Sequence, residues 1–232
     1  MTLNISGISI EVHKKEIKNM HLYVKPPDGK VSVSAPVSMS DDAIERFVRT
    51  KIRWIKTQVA NFDNQLRQSE REHVSGESLY VWGKQYIVQI EYSNRYAIEL
   101  VGDKAIFTVR KGSNSEQREN FLREWYRELL KKEVTRLLPK WENFTGLKPT
   151  SWQIKYMTTR WGTCNTDTGK LWFNLQLAKK SIECLEYIIL HEMLHLVERT
   201  HNERFILLLD QYMPMWREIR VKLNGQVLDF ME

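Results

Sequence analysis

Two cysteines, Cys164 and Cys184, are too few for a disulfide framework, and neither stands in a CxxC pair. Their scarcity excludes a disulfide-stapled secreted domain and a cysteine-rich zinc finger, and it makes a reducing cytoplasm the expected location. No run of about 18 apolar residues is present, so no membrane span is expected. The opening residues, MTLNISGISIEVHKKEIK, lack a basic stretch leading into an apolar block, and no signal peptide is expected. Also missing are a glycine-rich phosphate loop, a carboxylate cluster suited to magnesium, a helix-turn-helix signature and a concentrated basic stripe. Histidine is scarce as well, with six in 232 residues. What the chain does have is 42% hydrophobic and 11% aromatic residues, enough for a substantial core in one large domain or two small ones. The formal net charge of +6 comes from 35 bases against 29 acids, a balance that permits a polyanionic partner without requiring one.

The periodicity predicts an α+β fold. In the first forty residues Ile8, Ile10 and Val12 share one parity and Val31, Val33 and Ala35 another, the pattern of strands, with a turn at Pro26, Pro27, Asp28 and Gly29. A helix follows from Ser40, Asp41 and Asp42, with Ile44, Phe47, Val48, Ile52, Ile55, Val59, Phe62 and Leu66 as its buried stripe. Residues 67–78 read as a polar loop. Strands return in LYVWGKQYIVQIEY, YAIELV and AIFTV. The polar segment KGSNSEQ, residues 111–117, then divides a β-rich region, 1–112, from a helix-rich one, 113–232. Within the second region a helix is expected from Glu116 to Leu138, ended by Pro139. Its row of Arg123, Arg127 and Lys131 reads as a solvated face, because Glu119, Glu124, Glu128 and Glu133 are interleaved with it. Trp152 to Thr158 and Leu171 to Leu177 alternate as two strands joined through RWGTCNTDTG. No internal repeat is evident.

Half of the histidines gather in HEMLHLVERTH, residues 191–201. Ser181 caps the helix that carries them, and LEYIILHEMLHLVER continues it. His191 and His195, four apart, project from one helix face, so two imidazoles can hold one zinc ion while Glu192 reaches a water on it. A catalytic zinc takes three protein ligands and leaves a position open for water. His201 is the obvious third, although six residues at ~100° each place it roughly 120° off that face in an unbroken helix. The chain must therefore turn back, and Thr200 to Glu203, a T-x-x-E capping box, offers the start of a new helix. Glu198 competes for the third position or orients a ligand. Cys184 shares the face but lies ~10 Å away along the axis, too far to bind the same ion.

RWGTCN, KLWFNLQL and LEYIILHEMLHLVERTHNERF together resemble the YgjP-like metal-dependent hydrolases, a zincin family related to the SprT-like metallopeptidases. The likeness is strongest over residues 120–220 and extends more loosely through KNMHLYVKPPDGKVSVSAP and FVRTKIRWI. Thr163 stands where the family motif has serine, and Asn202 where a serine is common. The histidine spacing also equals that of metzincins, but Glu198 replaces their glycine. The resemblance implies a zincin-like catalytic domain, Zn2+ held by His191, His195 and His201, and Glu192 as the base. It places Arg160 beside the metal helix, where a guanidinium binds a substrate carboxylate, a phosphate or a developing oxyanion. The competing expectation is a structural ion pair for Arg160, with Trp161 packed in the core. A zinc peptidase acting on a peptide paired with the strand at Leu171–Leu177 is the first expectation. A nucleoside triphosphate pyrophosphatase using the same metal, as some members of that family are described, and a DNA-associated SprT-like protease are the alternatives.

Overall fold

The computed structural model describes residues 2–25, 29–64 and 73–224. The expected turn at Pro26–Asp28, the Phe62 side chain, Leu66 and residues 67–72 lie outside what is described. The described chain divides into two compact units, one ending at Asn64 and the other beginning at His73.

The first unit is a four-stranded sheet and a helix. Its strands are β1 (Thr2–Ile5), β2 (Ile8–Lys15), β3 (His21–Lys25) and β4 (Lys30–Pro36), in the order β1-β2-β4-β3. β2 and β4 run parallel, and the outer pairs are antiparallel. Alternation puts Ile10, Val12, Val31, Val33 and Ala35 on one face. Helix α1 (Asp41–Asn64) buries Ile44, Val48 and Ile55 in the same cluster, as its spacing predicts.

The second unit repeats this plan before adding to it. Strands β5 (Ser78–Val81), β6 (Lys84–Ser93), β7 (Ala97–Val101) and β8 (Lys104–Arg110) take the order β5-β6-β8-β7, again with a parallel central pair. A helix, α2 (Ser115–Thr145), follows. Both first hairpins close on a two-residue turn with φ positive throughout, Ser6–Gly7 at 53° and 81° and Trp82–Gly83 at 49° and 82°. This ββββα repeat escapes the sequence because only the burial parity is shared: Val31, Val33 and Ala35 correspond to Ala105, Phe107 and Val109.

The expected division at residues 111–117 does not separate two cores. Leu79, Val81, Val88, Phe107 and Val109 share one buried cluster with Leu122, Tyr126 and Leu130 of α2 and with the helices beyond. The Tyr126 hydroxyl donates to the Tyr80 carbonyl at 2.7 Å, and the Trp82–Gly83 turn donates to the carbonyls of Ala178 and Lys179. KGSNSEQ is a helix start: Asn114 and Gln117 form a capping box. Nor does Pro139 end α2. Proline gives up one backbone hydrogen bond, but Leu137, Leu138 and Trp141 around it are buried and hold the helix through. The helix stops at Gly146, whose φ of 74° is a left-handed cap.

The rest of the unit builds the site. β9 (Ser151–Lys155), β10 (Gly162–Asn165) and β11 (Lys170–Asn174) form a sheet in the order β10-β11-β9. GTCN is thus itself an edge strand, paired antiparallel with β11, and β9 stops before Tyr156. β11 stops at Asn174, because Leu175–Lys179 wind into a short 3-10 helix that Asn174 caps. Three helices follow: α3 (Ile182–Leu194), α4 (Glu203–Tyr212) and α5 (Trp216–Asn224). α3 packs against β10, β11 and α5. No helix of the described residues is long and apolar enough to cross a membrane.

Candidate metal centre

α3 is apolar on nearly every side, with Leu185, Ile189, Leu190, Met193 and Leu194 fully buried, so it is fixed in the core. It is shorter than the sequence predicts. Leu194 is its last residue, His195 is its C-cap, and the chain turns through residues 195–197. This early stop lets His201 come back to His191. The expected capping box at Thr200 is absent. Asn202 caps α4 instead: its Oδ1 accepts from the Phe205 backbone N–H at 2.9 Å, and its Nδ2 donates to Glu198 Oε2 at 2.9 Å. His201 thus sits just before the cap rather than in the first turn of α4. Ser181 stands at the N-cap of α3 without bonding its backbone; its hydroxyl lies 3.4 Å from Cys184 Sγ.

The three histidines converge. One ligand atom from each of His191, His195 and His201 lies within 4.8 Å of the other two, and the Nε2 atoms of His191 and His201 are 3.0 Å apart. A tetrahedral ion with bonds of ~2.0–2.1 Å wants its nitrogens ~3.3 Å apart, close to that spacing. His195 Nδ1 lies 2.9 Å from the Glu198 carbonyl oxygen. A carbonyl only accepts, so the Nδ1 carries the proton and the Nε2 lone pair is left for a metal. His191 Nδ1 is buried with no partner among the described residues. Burial pushes the His191 pKa down to about 3, with the charges of His195, His201 and Arg220 acting in the same direction, and it lowers that of His201 as well. Both imidazoles are therefore neutral at neutral pH, the form that binds metal. Phe205, fully buried, packs its ring 4.8–5.0 Å from all three imidazoles and forms an apolar floor.

Glu198 is not one of the converging residues. It contributes its backbone carbonyl to His195, and its carboxylate holds Asn202 and Arg204. Cys184 is fully buried, a small core residue.

Glu192 is 5% exposed, and burial pushes its pKa up to about 8 against the opposing charge of Arg160. Its neighbour is Gly162. A β-carbon there would lie 2.7 Å from Glu192 Cγ and Oε1, so only glycine leaves the carboxylate its place. Arg160 is exposed on the loop between β9 and β10, and Trp161 packs in part against the core. Asn174 fixes that loop. It is fully buried, its Nδ2 donates to the carbonyls of Met157 and Arg160 at 2.7 Å each, and its backbone N–H donates to the Trp161 carbonyl.

Two further residues border the histidines. Tyr187, one turn before His191 on α3, meets its ring edge-on at 5.7 Å, and Arg220 of α5 lies close enough for its charge to reach His191, His201 and Tyr187. Sequence reasoning missed Gly162, Asn174, Tyr187 and Arg220. Only Tyr187 carried a signal, the i, i+4 step to His191. The basic row on α2 proves to be paired: Arg123 with Glu119, Arg127 with Glu124 and the Ile154 carbonyl, Lys131 with Glu128.

The family model of the YgjP-like metallopeptidase domain matches residues 18–226. The chain belongs to that family. It is a metallopeptidase-domain protein, and the family implies a metal cofactor and a peptide substrate. No curated protein matches it. Among solved structures it is similar to the metallopeptidase zymogen of Pyrococcus abyssi abylysin, at 19% identity and a TM-score of 0.39 over 43% of this chain and 99% of that one. It is also similar to the metallopeptidase zymogen of Methanocaldococcus jannaschii jannalysin, at 25% identity and a TM-score of 0.35 over 43% of this chain and 90% of that one.

Proposed function

We propose that this YgjP-like chain is a zinc peptidase in which His191, His195 and His201 hold the ion and Glu192 is the general base. The convergence of three imidazoles within 4.8 Å, beside a buried carboxylate, carries the reading. Three imidazole nitrogens suit zinc and leave a fourth position for water. When bound, the ion supplies Lewis-acid polarisation of the scissile carbonyl and activation of a water molecule.

The chain's own residues do the rest. Glu192 takes the proton of the attacking water and delivers it to the departing amine nitrogen. A cation beside it favours the carboxylate form that burial alone disfavours. Gly162 keeps the carboxylate in position by leaving it room. Arg160, held through its carbonyl by Asn174, stands on the Glu192 side, where a guanidinium favours developing negative charge. The peptide itself needs a strand to pair with. β11 lies between β10 and β9, so the expected pairing at Leu171–Leu177 is closed to it. β10 is an edge, and Gly162 at its start touches Glu192; an extended peptide added there brings a carbonyl to the base.

The test combines metal content with cleavage. The wild type is expected to bind one zinc per chain and to cut an unfolded polypeptide. His201→Ala should lose the zinc, and Glu192→Gln should keep it while losing cleavage. Undiminished zinc affinity in His201→Ala would rule out the ligand set.

A further inference from the structure

Basic residues on α5 are not alike. Arg217 binds Asp210 through both its terminal nitrogens, and Lys222 binds Glu183 at 2.9 Å. Arg220 has no carboxylate partner among the described residues, although it is exposed and free to find one. Its guanidinium lies 6.0 Å from the centre of the Trp216 ring. Trp216 is 4% exposed and stacks on Tyr187, with ring centres 6.3 Å apart and planes 10° from parallel. Tyr187 in turn meets His191 edge-on at 5.7 Å. An aromatic pair fixed in the core thus connects the arginine to the histidine cluster. Lys222–Glu183 ties α5 to the start of α3.

Charge from α5 reaches this corner. The Arg220 charge is felt at His191, at His201 and at Tyr187. At Tyr187 the charge of Glu192 opposes it, and a metal ion on the histidines would add to it. A positive field of this kind beside a reaction centre attracts an anion and holds it in register. A guanidinium suits a carboxylate in particular, since its N–H fork matches the two oxygens.

We infer that Arg220, beside the Trp216–Tyr187 stack, forms a subsite for a substrate carboxylate near the histidine cluster. The inference rests on the peptidase reading of the histidine cluster. Two sources have this chemistry, a free C-terminal α-carboxylate and an Asp or Glu side chain. Recognition of this type acts on the bound ground state. It appears mainly in KM for substrates that carry the anion.

The test has a binding arm that needs no turnover. N-acetyl-dialanine and its amide are titrated into the full-length protein, metal-free and zinc-loaded, with the Trp216 indole followed by NMR. The acid is expected to bind roughly tenfold more tightly than the amide, since hydrogen bonds to charged groups are worth about that factor or more. The preference should vanish in Arg220→Gln and persist in part in Arg220→Lys. Equal affinity for acid and amide, or a preference untouched by Arg220→Gln, would overturn the subsite. In the kinetic arm, Arg220→Gln should raise KM for acidic substrates by a larger factor than for neutral ones; an equal change for both would also overturn it. An amidated peptide with one flanking glutamate distinguishes the two carboxylate sources. Acid-selective binding without cleavage of any peptide would instead remove the peptidase reading and leave the carboxylate subsite in place.

Discussion

Gly162 is the residue on which the placement of the Glu192 carboxylate depends. Its missing side chain is the space that Glu192 occupies, and a methyl group at 2.7 Å must displace the carboxylate. Gly162→Ala is therefore expected to lower kcat by about tenfold or more, since a small misplacement of a catalytic group costs up to a hundredfold. Zinc content should be unchanged, because no histidine is touched; loss of zinc would mean that the glycine supports the ligands as well. Arg160→Ala separates two roles in a similar way. Reduced turnover with zinc and fold retained supports action on the substrate, whereas joint loss of zinc and fold supports a structural arginine. At this scale the sequence is a partial guide. The gathering of His191, His195 and His201 is legible because metal-binding chemistry constrains the identity and spacing of such residues. Asn174 and Gly162 are not, because their roles depend on atoms brought close by the tertiary fold. Nothing in KLWFN says that its last residue donates to the carbonyls of Met157 and Arg160.

Among the elements, the end of α3 and the start of α4 decide whether a third histidine reaches the first two. HEMLHLVER has a helical pattern through Arg199, and pattern alone extends the helix too far. The chain leaves the helix at Leu194, and the Glu198 carbonyl then serves His195. T-x-x-E is a genuine cap pattern as well, but Asn202 competes better, because its amide bonds the Phe205 N–H and Glu198 together. Asn202→Ala should cost about 1 kcal/mol of stability as a lost N-cap. It should also weaken zinc binding measurably in calorimetry, since His201 is the preceding residue. Destabilisation without any change in zinc affinity would show that His201 is held by other contacts. The strand expected at Leu171–Leu177 ends early for a related reason: Asn174, buried in mid-sequence, caps a 3-10 turn and stops the alternation.

At the scale of the molecule, α+β was legible, but the position of the division was not. A polar stretch marks a boundary only when the cores on either side are separate, and Phe107 and Tyr126 belong to one cluster. The ββββα plan occurs twice with different residues, so only backbone topology reveals it. Two predictions concern stability. A metal held about 1,000-fold above its Kd adds roughly 4 kcal/mol to the unit that carries it. Chelation should therefore lower the thermal midpoint of that transition by roughly 8 °C or more. An unchanged midpoint would mean that no ion was bound. The second concerns Glu119, which binds His73 at 2.8 Å and Arg123 at 2.7 Å. Burial would raise its pKa, yet the bonds to His73 and Arg123 bring it below the ordinary 4.5. A lowered folded-state pKa contributes stability above that value, and the contribution is lost as the pH falls through the lowered one. Glu119→Gln should then be less stable than the wild type at neutral pH, with the gap closing in acid below about pH 4. A gap that is constant with pH would contradict the ionic role.

The most direct measurement is a mass-spectrometric product analysis of the zinc-loaded protein, incubated with an unfolded polypeptide and a nucleoside triphosphate mixture beside a Glu192→Ala control. New peptides that vanish in the control are the expected result. Intact polypeptide, or nucleoside monophosphates that vanish in the control in place of peptides, would contradict the assignment of His191, His195, His201 and Glu192 to peptide hydrolysis.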